Sequence, residues 1–321
     1  MSETIKLQVS KRETQGEDVL ILSLTSPEGK PLPVFTAGAH IDLHFGNDIV
    51  RQYSLCSSSA DQKTWRLGIL KAPESRGGSV AAHLLQEGDE IIASLPRNLF
   101  PLDKSASYTY LFGGGIGVTP MLAMADELQR EGHRFELHYC GRTRQRMGFI
   151  NELTEGGFAP YVHFHFDDEG EKQRLQLADI LKQAPENAHV YVCGPEGFMD
   201  WVIHTATENN IPAEQIHKEY FNKETDASGD GFEVELPEQG VTVWVKENQS
   251  IANALAGAGV RVKVSCEQGI CGTCLANVLE GTPDHRDSYL TDEEKQDNDQ
   301  IILCCSRSKS KKLVIEVFET E

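Results

Sequence analysis

Three cysteines lie close together in the stretch SCEQGICGTC, at positions 266, 271 and 274. The chain has eight cysteines, and five of them fall in its last 56 residues. In a reducing compartment such a cluster predicts a metal site rather than disulfide bonds. Any such set needs a further ligand, and only Cys304 and Cys305 follow at a suitable place, after the strand-like run Ile301-Ile302-Leu303.

The spacing of these cysteines, C-x4-C-x2-C, is the plant-type signature of a [2Fe–2S] cluster, which needs four thiolates, two on each iron. Gly269 and Gly272 would let the backbone fold closely around the cluster and direct N–H groups at sulfur. A zinc site favours paired C-x2-C units, of which this chain has one. The spacing therefore favours iron–sulfur over a zinc site or a structural disulfide.

Two polar stretches in the first third of the chain form a second candidate site. RQYSL at 51–55 lies on a predicted strand, where alternation places Tyr53 and Ser54 on opposite faces. RGGS at 76–79 precedes a predicted helix, and glycines with an arginine at such a place predict a phosphate-binding turn. An ordinary edge strand, and Ser79 as a helix N-cap, explain the same residues without a ligand.

The glycine-rich stretch GGGIGVTP at 113–120 lies between a predicted strand and a predicted helix. Glycines at this place let a pyrophosphate approach the helix N-terminus, and Pro120 suits a first helical turn. A plain strand-to-helix turn is the alternative. A second short stretch, Cys193-Gly194-Pro195, ends a later predicted strand.

The elements that would position these residues fall into three predicted domains. Residues 1–103 contain short β-like runs separated by turns, which predicts an antiparallel barrel. Residues 104–221 alternate strands and helices, which predicts an α/β domain with a parallel sheet. The polar segment 222–231 predicts a linker, and paired β-runs and a short helix follow in residues 232–321.

The predicted elements have these bounds. In the first domain, strands are predicted over 19–24, 39–45, 51–55, 65–70 and 89–95, with a helix over 80–86. In the second, strands are predicted over 108–112, 135–139, 161–166 and 189–193, with helices over 120–131 and 196–208. In the third, strands are predicted over 232–236, 241–245 and 313–318, with a helix near 250–258.

Composition and charge exclude several classes of function. The net charge of −19 argues against nucleic acid or an anionic membrane as a partner. It is compatible with docking to a positively charged protein face, or with a charge that only keeps the protein soluble. The longest apolar run, 111–125, is too short to span a bilayer, and the first residues do not resemble a signal peptide, so a cytoplasmic location is predicted. No G-x-S-x-G motif supports a hydrolase. The basic stretch SRSKSKK at 306–312 is interpreted as a solubilising loop or a partner-docking loop.

These motifs, taken in order along the chain, resemble the phthalate dioxygenase reductase family of the ferredoxin–NADP reductase superfamily. The resemblance lies in CEQGICGTC with a distant C-x-S-R run, in RxYSL with RGGS, and in the G-x-G-x-x-P form of the glycine loop. The runs AGAHIDLHF, RNLFPL and PDHRD (283–287) resemble the O-demethylase reductases of that family. The resemblance implies an FMN-binding barrel, a nicotinamide-binding domain and a C-terminal β-grasp [2Fe–2S] ferredoxin domain.

The resemblance also implies roles for individual residues. FMN would be bound by Arg51, Tyr53, Ser54, Ile69, Lys71, Gly77, Gly78 and Ser79, with Phe221 near the flavin ring. The nicotinamide cofactor would be bound by Gly115, Gly117, Thr119, Pro120, Cys193, Gly194 and Pro195. Ser54 and Cys193 would lie at the hydride-transfer position. The cluster ligands would be Cys266, Cys271, Cys274 and Cys304, with Cys305 as the neighbour of the fourth ligand.

The loop after the second strand of the α/β domain bears on the choice of coenzyme. An acidic residue there favours NADH, whereas an arginine can hold the 2′-phosphate of NADPH. This loop reads Cys140-Gly141-Arg142-Thr143-Arg144, so Arg142 points to NADPH. The resemblance implies NADH, and NADPH stays possible.

The implied function is electron transfer from NADH through FMN and the [2Fe–2S] cluster to a separate Rieske oxygenase. An O-demethylase acting on vanillate or a related aromatic acid is the expected partner. The alternatives are a reductase for a phthalate-type dioxygenase or a carnitine-type monooxygenase, and, in another class, a redox-sensing flavo-iron–sulfur protein. The chain has no C-x-H…C-x-x-H pair, so no Rieske centre of its own is expected.

Overall fold

The computed structural model describes residues 3–46, 49–72, 77–221 and 226–317. Predicted features at Arg76, at 222–225 of the linker and at Phe318 lie outside these residues. Contacts divide the chain into two compact units, Ser2–Phe221 and Asn222–Glu321. The boundary expected after Asp103 falls inside the first unit, so the division of that unit into two domains stays a prediction.

Six antiparallel strands at the start of the first unit form the predicted barrel. They are β1 (Thr4–Gln15), β2 (Val19–Thr25), β3 (His40–His44), β4 (Val50–Ser54), β5 (Trp65–Leu70) and β6 (Glu90–Ser94). Their order is β4-β3-β6-β1-β2-β5. A bridge between Leu55 and Leu67 joins the two end strands, so the sheet closes on itself. Apolar side chains, including the fully buried Trp65, fill the interior.

Two elements of the barrel differ from the sequence prediction. β1 was not predicted, because most of its twelve residues are polar and only Leu7 and Val9 are buried. The helix predicted over 80–86 is α1 (Gly78–Leu84), two residues earlier. It begins there because Gly77, the N-cap, has a φ of 91° and turns the chain into the helix.

The rest of the first unit is a parallel sheet with helices between its strands, as predicted. Its elements are β7 (Tyr108–Gly114), α2 (Val118–Glu131), β8 (Phe135–Gly141), α3 (Ile150–Glu155), β9 (Val162–Phe166), α4 (Leu177–Leu181), β10 (Ala188–Cys193), α5 (Glu196–Glu208) and β11 (Ile216–Glu219). The strand order is β11-β10-β7-β8-β9. β8 and β9 thus lie on one side of β7, and β10 and β11 lie on the other, which makes a switch point between β7 and β10. Ligands of such sheets bind at the carboxyl ends of the strands at the switch point.

The second unit is a five-stranded mixed sheet with a short two-stranded ribbon. Its elements are β12 (Phe232–Leu236), β13 (Val241–Val245), α6 (Ile251–Gly257), β14 (Leu275–Glu280), β15 (Pro283–Asp284), α7 (Asp292–Asp297), β16 (Gln300–Ile302), β17 (Arg307–Ser308) and β18 (Lys312–Val317). The large sheet has the order β13-β12-β18-β14-β16, and β15 pairs with β17.

The interpretation of SRSKSKK as a solubilising or docking loop is wrong for its first two residues. Ser306 and Arg307 are buried, with 0% and 2% of their surface exposed. The Arg307 guanidinium donates to the backbone carbonyls of Gln249 (2.7 Å) and Asp230 (2.9 Å) and lies over the Phe232 ring. Since a buried guanidinium needs such acceptors, this part of the stretch is structural.

Candidate functional site

The glycine loop and the Cys193 stretch meet at the switch point of the parallel sheet. β7 ends at Gly114 and β10 ends at Cys193, and the two strands are direct neighbours in the sheet. A single turn of 3₁₀ helix over Gly115–Gly117 leads into α2. The structure therefore brings both predicted nicotinamide-binding stretches to one edge, which sequence spacing could not establish.

The glycine loop and the Cys193 stretch approach each other so closely that position 117 requires a glycine. A Cβ atom built on Gly117 would lie 2.3 Å from the backbone oxygen of Cys193. Thr119 and Pro120 follow in the first turn of α2, where both are buried and Thr119 Oγ1 donates to the Ile116 carbonyl at 2.9 Å. These residues shape the backbone around the loop, and the loop itself can take a pyrophosphate.

Ser54, Glu219 and Cys193 form a polar cluster between the barrel and the parallel sheet, in which Ser54 and Cys193 are buried and Glu219 is half-buried. Ser54 Oγ donates to Glu219 Oε2 at 3.3 Å. Glu219 pairs with Cys193 across the neighbouring strands β11 and β10. Burial raises the pKa of Glu219 to about 8, and the Ser54 hydroxyl opposes that rise only in part. Burial also raises the pKa of Cys193, and the nearby Glu219 adds to this. Both groups are therefore mainly protonated near neutral pH.

Arg51 and the start of α1 form a cradle that a larger residue would fill. A Cβ atom built on Gly78 would lie 2.2 Å from Arg51 Cγ, so the arginine side chain crosses the first turn of the helix. The backbone N–H groups of that turn and a guanidinium thus lie together, which suits a phosphate. The suggestion that Ser79 caps the helix is wrong: Gly77 is the N-cap, and Ser79 Oγ accepts from the Ala72 N–H at 3.1 Å.

The remaining predicted flavin residues lie in different surroundings. Tyr53 packs against the barrel core and meets Phe45 edge-on at 6.4 Å, while Ser54 points to Glu219, so the predicted alternation is present. Ile69 is buried on β5 and its carbonyl contacts the His83 ring at 3.1 Å. Lys71 follows β5, is exposed, and donates its N–H to the Asp18 carbonyl at 2.9 Å. Phe221 packs against the core cluster that contains Cys193.

The basic loop after β8 is accompanied by an acidic one. Arg142 is exposed, and its carbonyl accepts the Asp168 N–H at 3.3 Å. Arg144 lies over the Phe166 ring at 4.4 Å, and its Nε lies 3.8 Å from Glu169 Oε1. Three consecutive acidic residues, 167–169, therefore follow β9 beside the two arginines, so this edge is not simply basic.

The four predicted cluster cysteines are buried and face one another as two pairs. All four are between 2% and 8% exposed: Cys266, Cys271, Cys274 and Cys304. The Cys266 thiol next to Cys271 raises the pKa of Cys271, and the Cys304 thiol does the same for Cys274. The Gln268 N–H donates to Cys266 Sγ at 3.3 Å, the kind of bond expected in an iron–sulfur loop. Two thiol pairs fit a cluster that needs two thiolates on each of two irons.

Cys305 has a different environment from Cys304. A Cβ atom built on Gly269 would lie 2.4 Å from Cys305 Sγ, so the Cys305 thiol packs against Gly269 in the cysteine loop. Cys305 Sγ is also 3.9 Å from the Ile302 carbonyl. Cys304, not Cys305, lies next to the Cys274 thiol, and its role as the fourth ligand stays a prediction.

Comparisons with known proteins agree with this geometry. Residues 234–309 match the 2Fe-2S iron-sulfur cluster binding domain, and residues 111–204 match the oxidoreductase NAD-binding domain. Vanillate O-demethylase oxidoreductase from Pseudomonas sp. (strain HR199 / DSM 7063) is 44% identical over 316 residues, covering 98% of this chain and 100% of the relative. The solved structure of phthalate dioxygenase reductase matches with a TM-score of 0.76 at 37% identity, covering 98% of each chain.

The chain belongs to the phthalate dioxygenase reductase family. The carnitine monooxygenase reductase subunit of Escherichia coli (strain K12) is a further relative, 37% identical over 97% of this chain and 98% of its own. Membership confirms the expected fold, with a barrel, a parallel α/β sheet and a 2Fe-2S ferredoxin domain, and the expected class, an NAD(P)H-dependent iron–sulfur oxidoreductase. It supports the three expected cofactors, FMN, NADH and the [2Fe–2S] cluster.

One polar group of this reductase was missed in the sequence. Glu219 belongs to the run HKEYF, from which only Phe221 was selected. The sequence offers one indication of a role for Glu219: it is a single acidic residue just before the aromatic pair Tyr220-Phe221. Its partial burial and its contact with Ser54, 165 residues away, depend on the packing of the sheet against the barrel.

No helix among the described residues has the length and apolar character needed to cross a membrane.

Proposed function

We propose that this chain is the reductase component of a two-component Rieske oxygenase of the O-demethylase type, with vanillate or a related aromatic acid as the substrate of the oxygenase. The observation that carries the proposal is the 44% identity to vanillate O-demethylase oxidoreductase over the full length of that relative. The 37% identity to a carnitine monooxygenase reductase subunit favours a second candidate, a reductase for a carnitine-type oxygenase.

The first unit is proposed to hold FMN and NADH at neighbouring places. Arg51 and the backbone of Gly77, Gly78 and Ser79 would bind the FMN phosphate, while Tyr53, Ile69, Lys71 and Phe221 would border the ring. Gly115, Gly117, Thr119, Pro120, Gly194 and Pro195 would shape the nicotinamide-nucleotide side. A bound flavin supplies the conversion of a two-electron hydride into single electrons, and a [2Fe–2S] cluster carries one electron at a time.

The polar cluster of Ser54, Cys193 and Glu219 would lie where these two halves meet. Glu219 is neutral below about pH 8, so it adds no negative charge to a place that receives hydride. Ser54 holds the carboxyl in position through the 3.3 Å hydrogen bond. Cys193, fully buried, contributes shape and excludes water.

NADH is the proposed coenzyme. Arg144 is engaged by the Phe166 ring at 4.4 Å and lies 3.8 Å from Glu169, and Asp167 and Asp168 add negative charge beside Arg142. A 2′-phosphate carries close to two negative charges, so this acidic edge opposes NADPH more than NADH. The two arginines of the loop at 140–144, taken alone, would favour NADPH.

The ferredoxin domain is proposed to hold the cluster on Cys266, Cys271, Cys274 and Cys304 and to pass electrons to the oxygenase. A separate oxygenase component is the proposed partner, and nucleic acid and membranes are not. The protein is proposed to work in the cytoplasm, because closely spaced cysteines that bind a metal cluster suit a reducing compartment.

Anaerobic titration of the purified protein with NADH, and in parallel with NADPH, tests the cofactor order. Bleaching of both flavin and iron–sulfur absorbance by NADH is the expected result. Bleaching of the flavin alone would contradict the electron path.

The variant Cys274→Ser tests the role of the cluster in this path. It should leave flavin reduction by NADH intact and abolish electron transfer to the oxygenase. Full turnover of that variant with the oxygenase would contradict the proposed path through the cluster.

Reconstitution with purified oxygenases tests the proposed partner. A vanillate O-demethylase oxygenase and a carnitine monooxygenase oxygenase are each mixed with this chain, NADH and their own substrate, and product formation is measured. Faster product formation with the vanillate enzyme is expected. A preference for the carnitine enzyme would replace the first candidate by the second.

A further inference from the structure

The PDHRD run carries a carboxylate that none of the proposed cofactor roles uses. The Asp287 side chain is 0% exposed. Its Oδ2 accepts the backbone N–H groups of Leu290 (2.8 Å) and Tyr289 (3.1 Å). The Lys295 Nζ lies 3.9 Å from the same oxygen, and the His285 Nδ1 lies 3.8 Å from Oδ1. A buried carboxylate is costly without hydrogen bonds and nearby positive charge. Here the two backbone N–H groups supply hydrogen bonds and Lys295 supplies charge, so the site is built to hold a carboxylate.

The backbone beside this carboxylate is tied to the cysteine loop. The Ser288 N–H donates to the Gly269 carbonyl at 2.9 Å, and Gly269 lies between Cys266 and Cys271. Gly269 has a φ of 72°, and a Cβ atom built on it would lie 3.1 Å from Asp287 Cα. The loop that supplies three of the four cluster cysteines therefore packs directly on Asp287.

The carboxylate itself is tied to the segment that supplies the fourth cysteine. Ser306 Oγ donates to Asp287 Oδ1 at 3.3 Å, and the Arg286 N–H donates to Ser306 Oγ at 3.2 Å. Ser306 is two residues after Cys304 and is fully buried. The β15–β17 ribbon, with Asp284 opposite Arg307, holds the same two segments together.

We propose that Asp287 is a positioning residue of the iron–sulfur site, which joins the loop of Cys266, Cys271 and Cys274 to the segment of Cys304. This inference rests on the proposed cluster. The four thiols come from two segments about thirty residues apart. The β14–β16 pairing and the hydrogen bond from the Leu303 N–H to the Cys274 carbonyl (3.1 Å) hold Cys304 next to Cys274. The contacts of Asp287 and Ser288 hold the earlier part of the loop, around Gly269, against the Cys304 segment. Outer-shell partners of metal ligands commonly change metal retention by about 10- to 100-fold.

The test compares variants of the full chain purified with its cofactors. Asp287→Asn keeps the size of the side chain but removes an acceptor oxygen and the charge. Ser306→Ala removes only the link to the Cys304 segment. Asp299→Asn is the matched control, because Asp299 is an exposed carboxylate of the same unit. Iron per chain, the electron paramagnetic resonance spectrum after dithionite reduction, and the rate of cluster loss to an iron chelator are measured.

We expect Asp287→Asn to lose its cluster about 10-fold faster than wild type or more, with an altered spectrum. Ser306→Ala should shift both readouts in the same direction by a smaller amount, and it decides the outcome if Asp287→Asn does not fold. Asp299→Asn should match wild type, and flavin reduction by NADH should be unchanged throughout. Wild-type iron content, spectrum and loss rate in both variants would overturn this inference alone. Wild-type protein without iron would overturn the proposed function, and this inference with it.

Discussion

Ser54 and Glu219 are 165 positions apart in the sequence and share a hydrogen bond of 3.3 Å between Ser54 Oγ and Glu219 Oε2. The bond joins the end of barrel strand β4 to the end of β11, at the edge of the parallel sheet. It places a half-buried carboxyl, whose pKa is about 8, beside Cys193. Strands from two different sheets thus build the proposed hydride-transfer site together.

Glu219→Gln should remove a pH dependence from flavin reduction. In wild type the carboxyl is protonated below about pH 8 and ionised above it, because burial raises its pKa. A negative charge at Glu219 opposes the arrival of hydride, so the rate of flavin reduction by NADH should fall as the pH rises through about 8. Stopped-flow measurement of flavin absorbance across this range should show a flat profile for Glu219→Gln.

Glu214→Gln is the control for this prediction, because Glu214 is exposed on the same unit. It should keep the wild-type pH profile. The same inflection near pH 8 in Glu219→Gln would assign it to another group.

Gly117→Ala should weaken nucleotide binding and destabilise the first unit. The new Cβ would lie 2.3 Å from the Cys193 carbonyl oxygen, so the backbone of one of the two stretches must move. Overpacking of this kind costs about 1–3 kcal/mol. Urea unfolding followed by flavin fluorescence should show the loss, and the KM for NADH should rise.

Gly157→Ala provides the comparison, since Gly157 is exposed and a Cβ built there makes only ordinary contacts, at 3.5 Å or more. Its unfolding free energy and KM should stay near the wild-type values. An unchanged KM in Gly117→Ala would separate this glycine from the nucleotide site.

Glu169→Gln should improve the use of NADPH. The change removes the carboxylate that lies 3.8 Å from Arg144, and so makes the guanidinium more available to a 2′-phosphate. The exposed pair is worth about 1 kcal/mol at most, so the KM for NADPH should fall by about five-fold or less, with little change for NADH. Steady-state ferricyanide reduction with each coenzyme measures this.

Two further variants check the role of Arg144 in that result. Glu171→Gln, an exposed acid of the same loop, should leave the ratio of the two KM values unchanged. Adding Arg144→Ala to Glu169→Gln should abolish the gain. Equal changes in the KM values for NADH and NADPH would show that the loop does not bind the 2′-phosphate.

Cys304→Ser and Cys305→Ser should differ in their iron content. Cys304 lies opposite Cys274, whereas Cys305 lies against Gly269. Cys304→Ser should therefore lose most of its iron, and Cys305→Ser should keep a cluster with the wild-type visible spectrum. Loss of iron in Cys305→Ser with retention in Cys304→Ser would reverse the assignment of the fourth ligand.

Regular elements were largely predictable from local pattern. The strand Trp65–Leu70 and the helix Glu196–Glu208 have the bounds that periodicity predicts, because each has an apolar face with a clear repeat. β1 was missed because few of its residues are apolar, and α1 was misplaced because the left-handed turn at Gly77 sets its start. The same turn makes Gly77, and not Ser79, the N-cap of α1.

The sequence by itself determined the chemistry that needs closely spaced residues, namely the C-x4-C-x2-C loop and the glycine loop before α2. It also determined the order of these motifs along the chain. Only the tertiary structure decided which distant groups meet. It placed Glu219 beside Ser54, Cys304 opposite Cys274, and Asp287 between the two cysteine segments. The physical reason is that local pattern follows from backbone geometry over a few residues, whereas the burial of a carboxyl or a thiol depends on how whole sheets and loops pack.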